Sequence, residues 1–428
     1  MTYEEMLEKL YNLKGTGLEL TKILAQLGRP EKKVKCIRVG GTNGKGSTCA
    51  FLSHILIEAG YSVGLFTSPH LTEPEERIQI NGQCISRQEF QIYFERVWDT
   101  IWALHGSDAE SIARFFEVLV AIALLYFYEQ KVDIALIEAG VGGRRDDTNV
   151  VHPLFGILTS VDLDHQEVLG NTLEAIAVEK IGIVPPGVTL LCAETKPSVL
   201  ALIQRECEKQ NSKLILVEFP QETKKIVSWE NQRFNWNDFK KLELQMLGAY
   251  QIKNAATALS ALALLEQHDF KITDSAVRQG LKQTQWPGRM ELLQKNPYIL
   301  LDGAKNPAGL RALKESLSQL DYANLILILG ISTRKEIAEM IAEIVPIAHR
   351  VILTQAPFRG SEPSQMEAEV QKHTLRYEMV SAPEAALERA LKQAQLNDLI
   401  CVTGSLFLVG ETRKIWQDRR FAKAGEIG

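Results

Sequence analysis

The stretch "RVGGTNGKGSTC", residues 38–49, decides how the rest of the 428-residue chain is read. Four glycines, a lysine and a serine fall within the eight residues 40–47. "VKCIRVG" (34–40) precedes them as a short buried strand, and "STCAFLSHILIEAG" (47–60) follows as a helix closed by Gly60. Strand, Gly-rich turn and helix form the context in which such a motif marks a phosphate site. Gly40, Gly41, Gly44 and Gly46 let backbone N–H groups turn inward toward phosphate oxygens. The helix starting near Ser47 adds its dipole, Lys45 a point charge and Ser47 a hydroxyl suited to magnesium. The usual phosphate loop puts Ser or Thr directly after Lys, whereas here Gly46 intervenes.

Outward from this loop the chain alternates. "YSVGLFTS" (61–68), "VDIALIEAG" (132–140), "LFGILTSV" (154–161) and "GVTLLCAE" (187–194) read as strands. "ESIARFFEVLVAIALLYFYEQ" (110–130) reads as one long apolar helix, and "NTLEAIAVEK" (171–180) and "QIKNAATALSALALLEQ" (251–267) as further helices. Such alternation predicts βαβ crossovers and a mainly parallel sheet. Polar residues 222–241 interrupt it and read as a peripheral β-hairpin or loop. "QWPGRMELLQKNP" (285–297) places a domain boundary, after which "YILLDG" (298–303), "NLILILG" (324–330), "RVILTQ" (350–355) and "DLICVTG" (398–404) alternate with helices. The expected architecture is α/β: an N-terminal phosphate-loop, parallel-sheet ATPase domain over 1–294 and a smaller Rossmann-like α/β domain over 295–428.

Composition narrows the function classes. With 45% apolar and 24% charged residues and a net charge of −5, the chain suits a soluble globular protein without an extended nucleic-acid surface. Six cysteines without CxxC spacing argue against structural zinc and for a reducing compartment. The acidic, amphipathic N-terminus lacks signal-peptide character, and no apolar run is long enough to span a membrane. A cytoplasmic protein is expected.

"GTNGKGS" (41–47) resembles the phosphate loop of the Mur ligase superfamily, where the extra Gly is usual. "TSPHL" (67–71), "ERIQING" (76–82), "FFE" (115–117) and "GVGGRRDDTNV" (140–150) resemble the folylpolyglutamate synthase and dihydrofolate synthase branch. So do "TSVDLDHQEVLGNTLEAIAVEKIGI" (159–183), "LGAYQIKNAATAL" (247–259), "WPGRMEL" (286–292), "LLDGAKNPAG" (300–309) and "VTGSLFLVGE" (402–411). They occur in the family's order and cover nearly the whole chain.

The resemblance implies an ATP- and magnesium-dependent ligase that joins L-glutamate to a folate, or another carboxylic acid, through an acyl phosphate. Gly41, Thr42, Asn43, Gly44, Lys45, Gly46 and Ser47 would bind nucleotide. Asn254 would lie near the adenine, Arg289 at a phosphate, and Asp302 and Lys305 would face the nucleotide from the second domain. Ser47, Glu138 and His165 would serve magnesium. Glu138 also ends a parallel strand, the edge where α/β sheets bind ligands. Lys45, His165 and Lys180 would be catalytic, with Lys180 carbamylated into an anion. Ser68, His70, Arg77, Arg114, Phe116, Asp146 and Asp147 would meet the acid substrate. A small-molecule enzyme without nucleic-acid or membrane partners, acting as a monomer, is implied.

The family's usual residues are replaced at five places: Lys305 and Tyr250 stand for His, Arg114 for Thr, Arg145 for Leu and Asp147 for Ala. Arg114, Arg145 and Asp147 keep one alternative open, a Mur-type ligase joining a different carboxylic acid to an amino acid. A second, an inactive nucleotide-binding homologue, is disfavoured because Lys45, Ser47, Glu138, His165 and Lys180 are all present. A generic phosphate-loop kinase is disfavoured by Gly46 and the second domain.

Overall fold

The computed structural model describes all residues except 18, 221–225, 334 and 426–428. Its contacts divide them into two compact units, one of residues 1–220 with 254–283, the other of 221–253 with 284–428.

The first unit is built on an eight-stranded sheet. Its strands are β1 (Cys36–Gly40), β2 (Val63–Phe66), β3 (Ile78–Ile80), β4 (Gln83–Cys84), β5 (Ile134–Glu138), β6 (Gly156–Leu158), β7 (Leu190–Cys192) and β8 (Leu214–Leu216). The order is β4-β3-β2-β5-β1-β6-β7-β8, parallel from β2 through β8, with antiparallel β2–β3 and β3–β4 pairings at one edge. Cys36, Phe66, Ala135 and Ile137 pack into one apolar cluster with helices Arg87–His105 and Phe115–Glu129. The alternate residues Ile37, Leu65 and Leu136 are buried as well. Burial on both faces is what parallel strands flanked by crossover helices require.

The strand positions read from sequence hold, but the expected helix over 110–130 is broken. A short helix, Ala109–Ile112, ends at extended Ala113, and Arg114 is the extended N-cap of helix Phe115–Glu129. The cause lies far away in sequence. Gly15 and Gly17 donate their N–H groups to the carbonyls of Ala113 and Ile112, taking acceptors that a continuous helix would use. Helix Lys45–Glu58 also begins slightly earlier than expected, with Gly44 as a left-handed N-cap at φ 87°.

In the second unit β9 (Ile226–Val227), β10 (Gln232–Trp236) and β11 (Phe239–Leu244) form a small antiparallel sheet. The expected hairpin is therefore β10–β11, and residues 222–225 lie outside the described residues. The second sheet contains β12 (Glu291–Gln294), β13 (Tyr298–Leu301), β14 (Leu325–Leu329), β15 (Arg350–Leu353), β16 (Tyr377–Met379) and β17 (Leu399–Thr403). Its order is β12-β13-β17-β14-β15-β16, with only β12 antiparallel to its neighbour. Helices Pro307–Leu317, Pro363–Gln371 and Pro383–Gln393 each open on proline, whose missing N–H costs nothing at that position.

Helix Asp274–Gln283 packs closely on helix Lys45–Glu58: a Cβ on Gly280 would lie 2.5 Å from the Ile55 Cα. Alanine would gain about 1 kcal/mol in helix propensity but meets rigid backbone, and overpacking of this kind costs about 1–3 kcal/mol. Gly280→Ala is therefore expected to lower the melting temperature in thermal unfolding. An unchanged or higher value would show that the two helices separate freely.

Candidate active site

Parallel register brings the functional elements level. Val39 pairs with Glu138, and Gly40 with Leu158, so the glycine loop, Glu138 and the segment after β6 leave the sheet side by side. Gly41 is at φ 137°, and a Cβ there would lie 2.0 Å from Thr159 Oγ1. A Cβ on Gly44 would come within 2.4 Å of Asn254 Oδ1. Glycine is needed at both for conformation and for space.

Segment 159–162 runs under the loop as a rail. Thr42 N–H donates to the Ser160 carbonyl at 2.8 Å, and Asn43 N–H to Ser160 Oγ at 3.0 Å. Thr159 Oγ1 donates to the Asn43 carbonyl at 2.7 Å. Thr42 Oγ1 donates to the Asp162 carbonyl at 3.1 Å and accepts from Asp162 N–H at 2.9 Å.

Three charged groups converge beside the loop. Lys45 Nζ donates to the carbonyls of Gly41 and Thr42 and lies 3.9 Å from Glu138 Oε1. Glu138 is buried, and its Oε2 accepts from Ser68 N–H at 3.1 Å. Lys180, from helix Leu173–Ile181, is also buried and donates to the Gly41 carbonyl at 2.9 Å. Burial first, then the Lys45 cation, lowers its pKa to about 7, against the pull of Asp164, Asp162 and Asp146. Ser47 is buried in the first turn of its helix. His165 stands at φ 52°, with Asp164 and Glu167 carboxylates 3.8 and 3.9 Å from its ring nitrogens. Among the described residues no three His, Cys, Asp or Glu side chains gather as a metal nest. Magnesium keeps several waters and takes one or two protein oxygens plus substrate phosphate, so the hard donors of Glu138 and Ser47 fit its chemistry.

A second cluster surrounds the start of helix Phe115–Glu129. Arg77 is buried, donates from Nε to His70 Nδ1 at 2.9 Å and lies over the Phe115 ring. Burial and the Arg77 cation lower the His70 pKa to about 4, so its ring is a neutral acceptor at pH 7. Phe116 lies under Gly140, where a Cβ would come within 2.8 Å of the ring. Arg114 Nη2 is shared by Glu117 at 2.6 Å and Asp147 at 3.1 Å. Asp146 faces inward instead: it accepts from Val141 N–H, from the Thr148 N–H and hydroxyl, and faces Arg38. Arg145 is exposed, and its backbone N–H donates to Glu179.

Sequence reading passed over Arg38. It is fully buried in β1 and donates to Thr148 Oγ1 at 2.8 Å, Asn149 Oδ1 at 2.6 Å, the Gly143 carbonyl at 2.9 Å and the Ile183 carbonyl at 3.2 Å. It ties β1 to loop 140–150 and to the end of the Lys180 helix. The available signal was an arginine inside an otherwise apolar strand, since such a charge must be fully paired.

Asn254 thus sits in the first unit against the loop, whereas Arg289, Asp302 and Lys305 belong to the second. There Asp302, fully enclosed, accepts from Tyr250 OH at 2.7 Å, Met290 N–H at 3.0 Å and Ala304 N–H at 2.9 Å. Burial raises its pKa while the Arg289 cation opposes the rise.

A glycine loop between a central parallel strand and a helix, with buried Glu138 facing Lys45 at the same sheet edge, is the layout of a phosphate-loop α/β protein. The Mur ligase middle domain family matches residues 39–262, and the Mur ligase, glutamate ligase domain matches residues 288–406. The dihydrofolate synthase/folylpolyglutamate synthase of Bacillus subtilis is 35% identical over 409 residues, 92% of this chain and 93% of its own. The crystal structure of folylpolyglutamate synthase from Thermotoga maritima matches with TM-score 0.82 and 34% identity, over 97% of this chain and 96% of that one. Escherichia coli FolC, solved in complex with DHPP and ADP, matches with TM-score 0.86 and 26% identity, over 98% and 99% of the two chains. The chain belongs to the folylpolyglutamate synthase and dihydrofolate synthase family of the Mur ligases.

Burial, then Glu117, raises the Asp147 pKa to about 7 despite Arg114. A carboxyl whose folded pKa exceeds its unfolded one holds its proton more tightly when folded, so stability falls as pH rises through that value. Asp147→Asn should therefore raise the melting temperature, relative to wild type, by about 2 °C more near pH 8 than near pH 5.5. An equal difference at both pH values would mean that Asp147 titrates like an exposed carboxyl.

Proposed function

We propose that the protein is an ATP-dependent ligase that adds L-glutamate to a folate, as a folylpolyglutamate synthase, with dihydrofolate synthase activity as a second capacity. The observation that carries this reading is the convergence of Lys45, Glu138 and Lys180 on the glycine loop at one sheet edge. The Bacillus subtilis relative bears both activities in its name, and the Escherichia coli neighbour is solved with ADP.

In this reading the loop residues Gly41 to Ser47 cradle the ATP phosphates, and Lys45 neutralises charge on the transferred group. Ser47, Glu138 and His165 would hold magnesium, which would supply neutralisation of phosphate charge. The substrate carboxylate attacks the γ-phosphorus, forming an O–P bond as the bond to ADP breaks. The glutamate amine then attacks the acyl carbon, phosphate leaves, and an amide forms. Such chemistry asks for positioning and charge neutralisation, not a protein nucleophile. Asn254, which lies against Gly44 of the loop, is assigned to the nucleotide. Ser68, His70, Arg77, Phe116 and Asp147 are assigned to the acid, with Arg114 at its margin and Asp146 shaping the loop beside it.

Lys180 is assigned as a carbamate. A neutral amine attacks carbon dioxide, forms an N–C bond and releases a proton, and burial gives Lys180 the neutral form near pH 7. The charge of Arg114 is balanced within the protein by Glu117 and Asp147, which weakens its case as a reader of a different acid. A cytoplasmic, monomeric enzyme is the proposed setting, and its six cysteines are free. Among the described residues no helix is long and apolar enough to cross a membrane.

Mass spectrometry of products after incubation with ATP, L-glutamate and several reduced folates tests the assignment. Glutamylated folate supports it, and ADP release only with some other acid contradicts it. Lys180→Ala should be inactive and partly rescued by a short carboxylate. Full activity in that variant would rule the carbamate out. Lys45→Ala should fold normally yet release no phosphate, and wild-type turnover in it would remove the loop from the nucleotide site.

A further inference from the structure

Glu194 and Lys196 lie outside every assignment made above, yet they fix the rail on which the glycine loop rests. Glu194 follows β7 and is buried. Its Oε2 accepts from Val161 N–H at 2.7 Å, and its Oε1 accepts from the N–H groups of Thr195 at 2.7 Å and Lys196 at 2.8 Å. Pro197 opens the next helix, so Lys196 is held extended at ψ 119°, and its N–H remains free to turn back to Glu194. Lys196 Nζ then reaches across to the Val161 carbonyl at 2.8 Å, Asp162 Oδ1 at 2.9 Å and Glu194 Oε2 at 3.5 Å.

Both the N–H and the C=O of Val161 are thus gripped from the β7 loop. The next residue, Asp162, is gripped through its side chain by Lys196 and through its backbone by Thr42 of the glycine loop. Three residues further on stands His165. We propose that Glu194 and Lys196 are positioning residues for the nucleotide site, setting the glycine loop and His165 through segment 159–165. Neither residue needs to touch ATP. The inference rests on the nucleotide reading of the loop.

The packing makes the two roles separable. Lys196 is 42% exposed at the surface of its helix start, so losing its charge opens no cavity in the core. Charge-assisted hydrogen bonds are the strong ones, and loss of the three made by Lys196 Nζ frees the rail to drift. Displacement of a phosphate loop by a fraction of an ångström acts on binding and alignment far more than on folding.

The test is Lys196→Met, which keeps the stem and removes the charge, compared with Lys196→Arg and Glu194→Gln. Direct ATP binding is measured by calorimetry with magnesium present, beside steady-state kinetics and melting temperature. Lys196→Met and Glu194→Gln should weaken ATP binding and raise its KM by about tenfold, the scale of one charge-assisted hydrogen bond. The Lys196→Met melting temperature should stay within about 2 °C of wild type. Lys196→Arg should recover most of the binding. ATP affinity unchanged in both charge-removing variants overturns the proposal, as does a large loss of melting temperature with unaltered KM. Wild-type protein that binds no ATP would instead overturn the nucleotide reading, and the positioning role with it.

Discussion

Everything in the first unit depends on the parallel pairing of β5, β1 and β6. That register sets Glu138 opposite Val39 and Leu158 opposite Gly40, so three chain segments leave the sheet at one level. The glycine loop is then close enough to share hydrogen bonds with the segment after β6, and Lys45 approaches Glu138. A register slip of one residue would turn the Glu138 side chain to the other face and dissolve the constellation.

Two brackets preserve this edge. Arg38 ties β1 to loop 140–150 and the Lys180 helix from below, with its guanidinium bonded to side chains and carbonyls. Glu194 and Lys196 tie the segment after β6 to the loop after β7. Both brackets spend charged groups on backbone placement. A buried charge left unpaired is strongly destabilising, so the fully buried Arg38 is held closely to one geometry. A rigid cradle suits a reaction in which alignment and charge neutralisation carry the catalysis.

The sequence made the periodic elements and the glycine loop legible because their signals are local. Apolar β-branched runs, Gly-rich turns and Pro-led helices depend on neighbours a few residues away. What stayed hidden depends on distant partners. The break before Phe115 is caused by residues 15 and 17, and Arg114 is pinned by Asp147, 33 residues along. Short edge strands such as β12 and β16 lacked the apolar run that marked their neighbours. Lys196 would read as an ordinary solvated lysine ahead of a helix, because nothing near it signals Asp162. Glu138 was legible from its place at the end of an apolar strand. Lys180 was marked by resemblance alone, and its burial beside the Gly41 carbonyl depends on packing that no local signal reports.

The central claim is that this edge aligns a substrate carboxylate with the γ-phosphate of ATP, and oxygen-isotope transfer tests it most directly. A folate labelled with heavy oxygen in its terminal carboxylate is incubated with the protein, ATP and L-glutamate, and the inorganic phosphate released is examined by mass spectrometry. Attack by the carboxylate predicts one labelled oxygen carried into each phosphate formed. Unlabelled phosphate, with ADP still produced, would mean that water takes the phosphoryl group, and would contradict the account.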